Sequence, residues 1–198
     1  SLFLAGIRLW KFLLGFTVII ISIPLFLRFI KPYQRDRVIS FLDPESDPLG
    51  QGYQLIQSKI ALGSGGGTGK GFLQGTQSYL EYLPEKQTDF IFTLIGEEFG
   101  FLGTIFIIFL FILLIGVCYF ISIKCFHVFG RIIALGVASN IFIYVFMNIA
   151  MVSGLMPVVG IPLPLISYGG SVMLSIMISI GLVLNVELNY NLKKFNNA

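Results

Sequence analysis

Between positions 101 and 123 the chain carries no charged side chain. As a helix, that stretch is long enough to cross the hydrocarbon core of a bilayer, which needs about 20 consecutive apolar residues. No water reaches backbone groups there, so a spanning segment must satisfy them internally, as a helix does. Three more runs have the same character: 12–29, kinked at Pro24; 132–152; and 171–186, with Leu165 and Ile166 extending the last. Composition agrees, with 56% apolar and 12% charged residues, against about 25% charged in soluble domains. The expected fold class is all-α integral membrane: about four transmembrane helices and one large polar loop at about 31–99.

Charge placement orients these spans. Arg8 and Lys11 precede the first, Lys124, His127 and Arg131 join the second to the third, and Lys193 and Lys194 follow the fourth. If the spans alternate, all three clusters share one side, which the positive-inside rule makes cytoplasmic. The loop at 31–99 and the turn at 154–170 are then extracytoplasmic. Between Arg28 and Glu98 there are seven basic and nine acidic residues, and elsewhere six and one. A basic excess confined to helix ends argues against a nucleic-acid partner, which calls for a basic patch on a polar domain. Cys118 and Cys125 lie two helical turns apart, roughly 10 Å, too far for a disulfide, and read as packing residues. The first apolar run is too long for a signal-peptide core and lacks a cleavage pattern. With Ser1 as the first residue, this predicts further protein upstream.

The polar loop has its own organisation. An amphipathic stretch at 53–62 predicts an interfacial helix, and a glycine-rich turn follows at 63–71. Leu83-Pro84-Glu85 reads as a helix start, with proline at the first helical position. Run unbroken to Ile123, that helix would be about 60 Å long, twice the thickness of a bilayer core. A break is therefore expected at 96–103, beside Glu97 and Glu98, which read as acids at the outer start of a span.

Residues 63–70 invite a phosphate-loop reading, but that pattern needs Gly at 64 and Ser or Thr at 71, where the chain has Ser64 and Gly71. Nucleotide binding is excluded. Two readings remain: a flexible loop, or backbone N–H groups and Lys70 meeting a diphosphate at the membrane surface. Glu85 and Asp89, four apart, share a helix face about 6 Å apart. They form either a solvated helix start or a carboxylate pair suited to acid–base chemistry, with Lys70 and Lys86 offsetting their charge. Asp89 stands at the edge of the apolar Phe90-Ile91-Phe92, where a lipid-borne substrate would meet water. Asn140 and Asn148 are expected on one helix face, bonding another helix. The apolar but proline-broken segment 153–171 is either a stiffened hairpin or a fold-back that roofs a cavity beside Asp89. Gly169 and Gly170 are expected to permit a tight backbone approach beneath it. His127 joins no ligand set, and no Cys/His cluster indicates a protein metal site.

Residues 148–171 closely resemble the terminal motif of the SEDS family (shape, elongation, division and sporulation proteins), and residues 69–92 resemble its large extracytoplasmic loop. Gly75-Thr76-Gln77 and Val158-Val159-Gly160-Ile161-Pro162 resemble the RodA branch more than the FtsW branch, and the match runs from about 33 to 184. The resemblance implies that the chain is the C-terminal part of a single, roughly ten-helix membrane domain in the bacterial inner membrane. The implied activity is peptidoglycan glycosyltransfer from lipid II during cell elongation. Asp89 is implied as the general base. Lys70, Gln77, Glu85, Lys86, Ser167, Gly169 and Gly170 are the expected substrate contacts. A divalent cation, Mg2+ or Mn2+, would assist the diphosphate without a dedicated protein site, and a class B penicillin-binding protein would be the partner. Four spans instead of ten leave the cavity to be closed by helices from elsewhere. Two rival readings are a lipid II transporter and a non-catalytic scaffold. Ion-coupled transport places ionisable groups inside the spans, whereas here the acids gather in the outer loop.

Overall fold

The computed structural model describes residues 32–47, 50–76, 87–125 and 127–196, together with the isolated positions Trp10, Leu14 and Thr17. The regular structure of the described residues is helical throughout: α1 (Pro32–Leu42), a 3-10 turn (Pro44–Ser46), α2 (Gln51–Ser64), α3 (Ile91–Lys124), α4 (Val128–Val152) and α5 (Gly170–Asn196). Apart from Leu14 and Thr17, the first expected span, at 12–29, lies outside the described residues, as does the helix start at Leu83-Pro84-Glu85.

Among the described residues, three helices are long and apolar enough to cross a membrane: Ile91–Lys124, Val128–Val152 and Gly170–Leu188. The short link between α3 and α4 makes them antiparallel neighbours. Their shared core joins Phe92, Phe111, Ile141, Val145, Met151 and Val152 to Ile176 of α5. Toward the other end, Ala134 and Ala138 let α4 lie close to Cys118, Ile121 and Val183, the small-residue packing that membrane helices favour. The opposite face of α3 is bare. Phe101, Phe106, Phe109, Ile112 and Phe120 are each more than half exposed, an apolar surface that water would not tolerate and that lipid or neighbouring helices would cover.

Two boundaries move from their expected places. α3 begins ten residues before position 101, because the apolar Ile91, Phe92, Leu94 and Ile95 join the same helix. α5 begins at Gly170, and Leu165 and Ile166 do not extend it. Leu165 has φ 63°, which no right-handed helix accommodates.

The expected break in α3 falls at Gly100 (φ 66°, ψ −159°). In an unbroken helix, the carbonyls of Glu97 and Glu98 would accept from the N–H groups of Phe101 and Leu102. At the break those groups separate, and the glycine-rich segment pairs with both sets. Lys70 N–H donates to the Glu97 carbonyl and Gly71 N–H to that of Glu98, both at 3.0 Å. Phe101 and Leu102 N–H donate to the carbonyls of Gly66 and Gly67 at 2.9 and 3.1 Å. No side chain fits between the two backbones. A Cβ on Gly100 would strike Gly69 N, and one on Gly69 would strike the Glu98 carbonyl oxygen. The glycine-rich segment is therefore a splint across a helix break and not a loose loop, with the amides of Gly65, Gly69, Lys70 and Gly71 all engaged.

α2 occupies the stretch expected to lie on the membrane interface, but it docks on protein. It buries Leu55, Ser58 and Ala61. The Ser58 hydroxyl donates to the Val152 carbonyl at 2.8 Å and lies 2.9 Å from Thr93 Oγ1, tying α2 to the outer ends of α3 and α4.

Candidate functional site

Asp89 lies in the turn at 87–90 that leads into α3. Three successive carbonyls of this turn point at one distant segment. Gln87 O accepts from Tyr168 N–H at 2.9 Å, Thr88 O from the Ser167 hydroxyl at 2.6 Å, and Asp89 O from Asn148 Nδ2 at 2.8 Å. Ser167 Oγ in turn accepts from Leu163 N–H at 2.7 Å. Asn148 Nδ2 also donates to Ile161 O at 2.7 Å. Two carbonyls at one amide atom require that atom to be nitrogen, which sets the orientation of the Asn148 amide.

The sequence explains why this segment folds back. Pro157, Pro162 and Pro164 offer no N–H to a helix ladder, so the chain after α4 stays irregular. Leu163 and Val158 are buried in the core. Residues 153–171 fold back onto the backbone of the Asp89 turn, as the second reading of this segment has it for the chain path. At Gly160 (φ 74°) an added Cβ would lie 3.1 Å from Asp89 Oδ2. Glycine thus leaves room beside the half-buried carboxylate and adopts a backbone conformation that side chains disfavour. Arg37 Nη1, on α1, donates to the neighbouring Val159 carbonyl at 3.3 Å.

The other expected site residues fare differently. Gln77, Glu85 and Lys86 lie outside the described residues, so the proposed Glu85–Asp89 pairing does too. Ser167 is near Asp89, but it is only 7% exposed and its hydroxyl is engaged on both sides. It ties the Asp89 turn to the covering segment. The tight approach expected at Gly169 and Gly170 is absent: an added Cβ at either meets nothing within 4 Å among the described residues. The crowded glycines are Gly160 and Gly154, where a Cβ would strike the aliphatic stem of Lys59.

Lys70 is also committed. Its ammonium lies 2.9 Å from Glu97 Oε1 and donates to Thr76 Oγ1 at 2.7 Å, while Thr76 Oγ1 donates to Glu97 Oε1 at 3.2 Å. Glu97 is 0% exposed, and this ion pair therefore lies at a buried carboxylate. Glu97 is accordingly no solvated helix-start acid: it lies inside α3, covered by the splint. Asn140 and Asn148 do not share an environment, since Asn140 is exposed and Asn148 fully buried. Asn148 bonds two turn carbonyls and not another helix. Its place near the end of α4, before Gly154 and Pro157, is the sequence signal that identifies such a role. Arg37 offers none, because its partner lies 122 positions away.

The same architecture occurs in known proteins. The FtsW/RodA/SpoVE family model, described as cell cycle protein, matches residues 1–192. Peptidoglycan glycosyltransferase MrdB of Escherichia coli K12 is 51% identical over 189 residues, covering 94% of this chain and 50% of that protein. Peptidoglycan glycosyltransferase RodA of Treponema pallidum is 43% identical, covering 81% of this chain and 37% of that protein. Stage V sporulation protein E of Bacillus subtilis is 41% identical, covering 94% of this chain and 50% of that protein. A chain of a solved peptidoglycan synthase complex, described as showing structural coordination of polymerization and crosslinking, superposes with a TM-score of 0.74 at 34% identity, covering 95% of this chain and 52% of that one. The chain spans about half the length of these curated relatives from Escherichia coli and Bacillus subtilis. It belongs to the FtsW/RodA/SpoVE family, the SEDS proteins, multi-pass proteins of the bacterial inner membrane.

Proposed function

We propose that this chain carries the base of a peptidoglycan glycosyltransferase that polymerises lipid II, with Asp89 as that base. In this reaction the hydroxyl of an acceptor sugar attacks the anomeric carbon of a donor sugar. The bond from that carbon to the diphosphate oxygen breaks, and the undecaprenyl diphosphate leaves with the electron pair. Asp89 takes the hydroxyl proton. The observation that carries this reading is the clamp: three consecutive carbonyls at 87, 88 and 89 are held by Tyr168, Ser167 and Asn148. Such rigidity keeps a base within hydrogen-bonding reach of the proton it removes.

Similarity to MrdB and RodA supports a role in elongation. Similarity to a chain of a synthase complex that couples polymerization to crosslinking supports a crosslinking transpeptidase as partner. No three His, Cys, Asp or Glu side chains gather to hold a metal ion among the described residues. These donors do not fit a resident ion, and no step is routed through one. Mg2+ or Mn2+ belongs to this proposal only as an ion carried by the diphosphate itself.

The test uses the full-length protein with its partner. Asp89→Asn keeps the shape but does not accept a proton, and it should slow lipid II polymerisation at least about a hundredfold while leaving membrane insertion and partner binding intact. Near-normal polymerisation would overturn the assignment. Lipid translocation without polymerisation in either protein would support the transporter reading instead.

A further inference from the structure

We infer that Arg37 is a binding residue for the diphosphate of the lipid-linked donor. The inference rests on the reading of Asp89 as the base. Lys70, which the sequence offers for this task together with Lys86, already contacts Glu97 and Thr76, and Arg37 offers the diphosphate a further cation.

Arg37 has the placement. It donates one N–H to the Val159 carbonyl at 3.3 Å, and the next residue, Gly160, is the one that flanks Asp89 Oδ2. The guanidinium lies no farther than about 11 Å from the carboxylate, the combined reach of that hydrogen bond, one peptide unit and the Gly160 approach. The reaction calls for such a spacing. A base about 3 Å from the acceptor hydroxyl, a further 3 Å or so to the anomeric carbon, and one C–O bond beyond it place the bridging oxygen roughly 7 Å from the base. The diphosphate begins there.

Arg37 also has the chemistry. A guanidinium presents five N–H donors in a planar fork that suits phosphate oxygens and stays charged at any working pH. The bond to Val159 uses one donor and sets the fork's direction. Its other N–H groups have no partner among the described residues, and the side chain is only partly buried. The fork is thus oriented by the same 153–171 segment that holds the base. One segment registers the proton acceptor and the leaving-group site against each other.

The test measures binding apart from turnover. In full-length protein with its partner, lipid II affinity is measured in an Asp89→Asn background, with and without Arg37→Gln or Arg37→Lys. Arg37→Gln should weaken binding at least about tenfold, and Arg37→Lys should recover part of that loss. Undecaprenyl diphosphate should inhibit polymerisation more strongly than undecaprenyl monophosphate in the wild type, and Arg37→Gln should narrow that difference. Equal affinity in all three proteins would overturn the inference while leaving the Asp89 reading untouched. Equal weakening by Gln and Lys with a common fall in thermal stability would reduce Arg37 to a structural tie and overturn it too. Should Asp89→Asn polymerise normally, the reading beneath the inference fails, a result separable from any Arg37 phenotype.

Discussion

Asn148 and Gly160 act on Asp89 from opposite sides, one holding its carbonyl and the other lying against its carboxylate. Replacing Asn148 with Asp keeps the size but removes both donors, leaving the Asp89 and Ile161 carbonyls facing an acceptor. An unsatisfied buried polar group costs about 1–3 kcal/mol, and part of that loss should appear as a displaced Asp89, the proposed base. We expect polymerisation by Asn148→Asp to fall at least about tenfold, through kcat more than KM. A normal kcat with a lowered melting temperature would assign Asn148 to folding alone. At Gly160, alanine would meet both the strained backbone and the Asp89 oxygen. Gly160→Ala should therefore impair polymerisation well beyond Gly170→Ala, whose Cβ points into open space among the described residues. Equal activities of the two variants in one assay would contradict this ordering.

At the scale of elements, the decisive feature is the exchange of hydrogen bonds between the glycine-rich segment and broken α3. The break at Gly100 separates an outer half that carries Glu97 from an inner half that is almost wholly apolar. The Lys70–Glu97 pair fastens the splint. Lys70→Met would remove the ammonium that lies 2.9 Å from the buried Glu97 carboxylate. Removing one partner of a buried pair costs about 3–5 kcal/mol, and since the Lys70 side chain is 27% exposed, a loss nearer 2–3 kcal/mol is expected. Adding Glu97→Gln should restore most of the thermal stability in detergent, because a neutral amide needs no cation. If the double variant melts no higher than the single one, the pair is not what secures the splint. Gly100→Ala should destabilise by about 1–3 kcal/mol through its positive φ alone, and by more because the Gly69 backbone must move aside.

For the whole molecule, the charge clusters around the apolar runs assign the sides of the membrane. Lys124, His127 and Arg131 fall at one end of the α3–α4 hairpin, and the Asp89 turn with its covering segment falls at the other. In a full-length protein whose only native cysteines are Cys118 and Cys125, both buried, single cysteines at Glu45 and Leu155 should react with an impermeant thiol reagent on intact spheroplasts. One at His127 should react only after lysis. Labelling at His127 in intact cells would reverse the topology and remove Asp89 from the compartment where glycan strands grow. The bare face of α3 has a consequence at this scale too: with so much apolar surface uncovered, the chain needs lipid or further helices around it to stay dispersed.

Membrane class, the positions of α3, α4 and α5, and the break near Gly100 were all legible in the sequence. Each follows from local physics: apolar runs of bilayer length, charged residues at their ends, and a helix otherwise too long for its membrane. Asp89 stood out because a carboxylate before Phe90-Ile91-Phe92 marks an edge between solvents. The tertiary structure alone decided what each polar group faces. Lys70 and Ser167 read along the chain as substrate contacts and Asn148 as a link to another helix, yet one pairs with a buried glutamate, one relays a hydrogen bond, and one holds two carbonyls. Their partners lie 27, 79 and 59 positions away, and no local pattern encodes such distances. The same holds for Arg37, whose meaning depends on a carbonyl 122 positions distant. Composition determines which solvent a segment prefers, whereas the pairing of its polar groups depends on how the helices pack and where the chain between them turns.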